Sequence, residues 1–150
     1  MNLKWTAEKS LSLSRILTFV MMVFACISLF CIPVITEWYD AVSDQKPIHV
    51  ILNIALYLSA ILGILALWQL FRMFGNIGKK QIFVTENVTI MRVISWCCFG
   101  VAVIWLLLSY VRLMSMFVAF TAAFAGIILR VLKNLFAMAV EMREENDYTI

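Results

Sequence analysis

One hundred and fifty residues set the size of a single domain, yet 64% are apolar and only 14% charged, where soluble domains carry about 25% charged residues. A body this small exposes too much surface to hide so much apolar side chain in water, which excludes an ordinary soluble fold and makes a bilayer the solvent. Twelve Lys and Arg against nine Asp and Glu give no bulk charge for direct nucleic-acid binding.

Four apolar runs are long enough to cross a hydrocarbon core, which takes roughly 20 helical residues: 16–35, 48–71, 93–111 and 116–140. The first follows Lys4, Lys9 and Arg15. It exceeds the roughly 7–15 apolar residues of a secretory leader and no A-x-A-like site follows, so it is expected to be a span and not a cleaved signal. Pro33 stands near its outer end, where a missing N–H is cheaply tolerated. The acidic connection "TEWYDAVSDQKP" leads to the second run, opened by His49, the single histidine.

Within the second run Asn53 is the one strongly polar amide. It is expected to hydrogen-bond across helices, for about 1 kcal/mol, and not to line a substrate path. Ala55, Ser59 and Gly63 recur every four residues on that helix; Ala119 and Ala123, with Ala122 and Gly126 on the adjoining row, do the same on the fourth. Small residues let helix backbones approach in lipid. Four spans need interior faces, so internal packing is the preferred reading, with a homo-oligomer contact as its alternative.

The second connection, "RMFGNIGKKQIFVTENVTIMR", is basic and punctuated by Gly75 and Gly78. At its end Thr85 reads as an N-cap of the third helix and Glu86 as a complement to the helix dipole. Arg92 marks the headgroup boundary. A tight turn over 112–115 makes the last two spans a hairpin. The fourth run carries Arg130 about 21 Å along from Met116, close enough to the far headgroups to snorkel. It should emerge from the membrane as an amphipathic stem. The ending "EMREENDYTI" is half charged; we expect "EENDYTI" to fold back on the second connection, with Tyr148 and Ile150 seated beside Ile82 or Phe83.

Basic residues flanking spans stay in the cytoplasm. Ten of the twelve lie on one side, with only Lys46 and Arg112 on the other. The expected fold is therefore all-α: one integral membrane four-helix bundle over 1–150, both termini cytoplasmic, cytoplasmic loop 72–92, and a last helix extended into a cytoplasmic tail at 141–150. Trp38, Tyr39 and Tyr110 would form the outer aromatic belt and Trp68 and Trp96 the inner one.

No motif assembles catalysis: there is no P-loop, H-E-x-x-H or G-x-S-x-G. Cys26, Cys31, Cys97 and Cys98 lack metal or redox spacing and read as buried apolar filler. A lone histidine is an interfacial residue before it is a ligand. No enzyme activity, cofactor or metal is expected.

Phe83, Glu86, Asn87 and Arg92 in "IFVTENVTIMR", and Glu145, Asn146, Asp147, Thr149 and Ile150 in "EENDYTI", resemble the motifs of the YoaS-like bacterial membrane proteins, domain of unknown function 2975. Tyr148 departs from the Leu common in such tails. The resemblance spans nearly the whole chain and implies four spans in a bacterial cytoplasmic membrane, with no established activity. By gene association alone it implies a helix-turn-helix transcription regulator as cytoplasmic partner. The leading expectation is a regulatory or interaction protein acting through those nine residues. The alternative is a small transport or immunity-type protein acting within the bilayer, where Asn53 and the small-residue stripes would dominate.

Overall fold

The computed structural model describes residues 7–43 and 46–148, with only the backbone of Ala7, Glu8 and Asp147. They form four α-helices: α1 (Ala7–Val42), α2 (His49–Gly78), α3 (Thr85–Leu108) and α4 (Ser115–Tyr148). Each is long and apolar enough to cross a membrane. Every helix exceeds the apolar run that announced it. Charge marks where hydrocarbon ends, whereas a helix continues as long as its backbone bonds do, so α1 runs through Arg15 at one end and Asp40 at the other. Pro33 consequently lies well inside α1.

The helices pack in chain order, α1 on α2, α2 on α3 and α3 on α4, each antiparallel to the last. Among the described residues, no Cα of α1 comes within 8 Å of one in α4, so the bundle is left open along that side. Apolar residues such as Ile90, Leu108 and Ala119 make up most of the buried interior, but polar groups lie deepest in it. The most completely buried side chains among the described residues are Asn87, Thr36 and Ser95, while Phe30 is 85% exposed. In lipid there is no hydrophobic drive between helices, so close packing and hydrogen bonds must hold them.

Away from the helix ends, a polar tie joins each consecutive pair. Thr36 Oγ1 lies 2.8 Å from Asn53 Oδ1 between α1 and α2. Trp105 Nε1 donates to Ser59 Oγ at 2.9 Å between α2 and α3, and Ser95 Oγ donates to the Gly126 carbonyl at 2.9 Å between α3 and α4. Such ties average about 0.6 kcal/mol each in membranes. They fix which faces meet more than they hold the fold together. Asn53 thus has the interhelical bond expected of it.

The small residues divide. Ala55 and Ala119 are buried, and a Cβ on Gly126 would come 3.2 Å from the Phe99 ring, so its absence lets α3 and α4 approach. Ala123 lies with Ala119 along an apolar α3–α4 groove. Gly63 differs: a Cβ there meets nothing within 4 Å. The glycine that admits α2 to α3 is Gly100, whose added Cβ would sit 2.9 Å from Leu62 Cδ1.

Candidate interaction surface at the basic end of the bundle

The antiparallel order gathers the start of α1, the end of α2, the start of α3 and the end of α4 at one end. Neither Gly75 nor Gly78 breaks α2; both are helical. The chain reverses one residue pair later, in a Schellman closure. Lys80 N–H donates to the Ile77 carbonyl at 2.9 Å and Gln81 N–H to the Asn76 carbonyl at 3.0 Å. That motif needs its first residue past the cap in the left-handed region, normally glycine. Here it is Lys80, with φ 62°, at a cost of about 1–2 kcal/mol.

Asn87 clamps the connection from beneath. Its side chain is fully buried; Nδ2 donates to the carbonyls of Gln81 at 2.9 Å and Ile82 at 2.8 Å, and Oδ1 accepts from Asn76 Nδ2 at 3.0 Å. One amide thereby satisfies two loop carbonyls and ties α2 to α3. Its burial leaves no side-chain surface for a partner, so Asn87 orders the loop and does not itself present a contact.

The α3 start differs from the expected cap. Val84, in an extended conformation (φ −130°, ψ 146°), precedes the first turn without a side-chain capping bond, and Thr85 is already helical. Thr85 misses the role because a cap residue keeps non-helical backbone angles and Thr85 is the first residue of the helix. Glu86 lies in the first turn, and its carboxylate also accepts from Arg72 at 2.6 Å. Both side chains are about half exposed, so the pair contributes only ~0–1 kcal/mol.

Over its described residues the tail does not fold back. Residues through Tyr148 continue α4 as helix, and Tyr148 is 91% exposed. Glutamates and Arg143 are good helix formers, so elongating α4 adds a backbone bond per residue, whereas a docked reversal would have to order a loop first. The contact with the second connection comes from upstream. Phe83 and Phe136 lie 5.7 Å apart between ring centroids, and Arg143 donates to the Phe83 carbonyl at 3.4 Å. Arg130 does more than snorkel: its guanidinium lies 4.8 Å over Trp96 and 5.6 Å from the Phe99 ring centre.

Of the nine residues singled out in the sequence, Phe83, Glu86 and Arg92 are exposed around the connection, and Glu145 and Asn146 are exposed on the last turns of α4. The Asp147 backbone is helical; Thr149 and Ile150 lie outside the described residues. Cys97 is buried, Cys98 half-buried, and Cys26 and Cys31 exposed.

The opposite end holds a device that the sequence did not announce. The Asp40 carboxylate, at the end of α1, accepts from the Ile48 N–H at 2.9 Å and the His49 N–H at 2.7 Å, and lies 3.0 Å from His49 Nδ1. It caps α2 from another helix, where a negative charge suits the dipole. The available signal was that Ile48, at the cap position, has no capping side chain of its own. Arg112 joins this end by donating to the Lys46 carbonyl at 2.9 Å.

Four long apolar helices with lipid-facing side chains and polar ties inside define a multi-pass helical membrane protein. The family described as "Protein of unknown function (DUF2975)" matches residues 2–150, and the chain belongs to that family. No curated protein and no solved structure matches it.

Proposed function

We propose that this is a non-enzymatic regulatory membrane protein of the bacterial cytoplasmic membrane, with both termini and the α2–α3 connection in the cytoplasm. It acts by presenting the connection and the projecting end of α4 as one surface to a soluble partner. The gene association implied by the family points to a helix-turn-helix regulator as that partner.

The buried Asn87 clamp carries this reading. A link between two helices needs only to span them, yet this one is fixed by an internal amide, a lysine held in the left-handed region and a strut from α4. Local strain retained in a fixed loop supports a role in contact. With α4 spanning 34 residues, or about 51 Å, against a core near 30 Å, a stem is left to stand beside that loop. Action within the bilayer draws less support, because the buried Thr36 and Ser95 hydroxyls are spent on ties between neighbouring helices.

A photo-crosslinking residue placed at Gln81 or Asn146 in native membranes, with lipid-facing Val103 as control, tests the proposal. Recovery of a soluble DNA-binding regulator from the first two sites alone is expected. Recovery of no soluble protein from either would overturn it.

A further inference from the structure

Between the start of α1 and the end of α2 lies a groove of about 460 Å³ lined by Arg15, Arg72, Lys79, Gly75, Asn76 and Trp68. Three cations line it, of which Arg72 is paired with the Glu86 carboxylate. Neither Arg15 nor Lys79 has a carboxylate within ion-pair distance among the described residues, so the groove keeps a positive excess. The Arg15 guanidinium carbon lies 4.8 Å from the Phe71 ring centre, and that ring in turn stacks near Trp68. Positions 68, 72, 75 and 79 share one face of α2. Gly75 keeps the floor open, because a Cβ there would meet nothing within 4 Å.

We infer that this groove binds the phosphate headgroup of an anionic phospholipid. The chemistry matches in two parts: cations at the polar end where the apolar span gives way, and the aromatic wall of Trp68 and Phe71 below them to receive the upper acyl chain. Tryptophan and arginine at that depth are what a headgroup meets. Arginine presents several N–H donors to one phosphate, and each basic residue near a charged bilayer surface is worth about fivefold in affinity. The inference does not depend on a protein partner or on which side of the membrane this end faces.

The test uses the full chain released from nanodiscs of phosphatidylcholine mixed with phosphatidylglycerol, with retained lipid identified by native mass spectrometry. Wild type should retain phosphatidylglycerol preferentially, one molecule first. Arg15→Gln and Lys79→Gln should each reduce that preference about fivefold. Gly75→Leu, whose Cβ meets nothing within 4 Å and whose longer side chain fills the groove, should abolish it while helical content by circular dichroism is unchanged. Gly75→Ala serves as the milder variant if the leucine misfolds, and should reduce the preference partly. Equal retention of the two lipids by wild type would overturn the inference, as would variants that keep the preference. Millimolar inorganic phosphate should not displace the lipid; displacement would mark a free-anion site and also overturn it.

Discussion

Asn87 and Glu86 are adjacent, and their energetic weights differ sharply. Asn87→Ala removes a buried amide that serves three internal partners, two loop carbonyls and the Asn76 side chain, so a loss of about 1–3 kcal/mol is expected in thermal or chemical denaturation in detergent. Asn87→Asp should be no better, since it sets a carboxylate against two carbonyl oxygens. Glu86→Gln breaks only a half-exposed ion pair and should change stability by less than about 1 kcal/mol. Equal effects at the two positions would contradict the clamp. Lys80→Gly relieves a left-handed backbone and should stabilise by about 0.5 kcal/mol, the relief being partly offset by the greater freedom of glycine in the unfolded chain. If the closure serves partner contact, that gain in stability comes with no gain in function.

Among the helices, the contrast is between two glycines. Gly126→Val puts a branched side chain against the Phe99 ring, 3.2 Å from the added Cβ; it should cost about 1–3 kcal/mol and loosen α4 from α3. Gly63→Val faces open space and should be nearly neutral in the monomer. A large loss at Gly63 would instead reveal a second copy packed there. The sequence showed that small residues form stripes, because the helical period fixes which positions share a face. It did not show which neighbour each face meets, and so Gly63 was included and Gly100 overlooked. Element number was legible because four runs are long and apolar. Element ends were not, since Arg15, Asp40 and Glu141 mark the edge of hydrocarbon and not the end of backbone bonding. The described part of the tail departs from expectation for a related reason. Acids and bases on one side of a membrane suggest mutual docking, but the chain had a cheaper course in extending α4, and Phe136 with Arg143 made the contact instead.

At the scale of the molecule, ten of the twelve basic residues fall on one side of the spans in the sequence, and the helices form an open, sequential bundle. The side of the membrane that this end faces governs the proposed function, because a surface turned outward could never meet a cytoplasmic regulator. Orientation is therefore the claim to test first. Single cysteines at Lys46 and Gln81, both exposed, are introduced into a chain whose four native cysteines are replaced, and intact cells are treated with a membrane-impermeant thiol reagent. Labelling is expected at position 46, and none at position 81 until the cells are permeabilised. Labelling of position 81 in intact cells, with or without position 46, would contradict it.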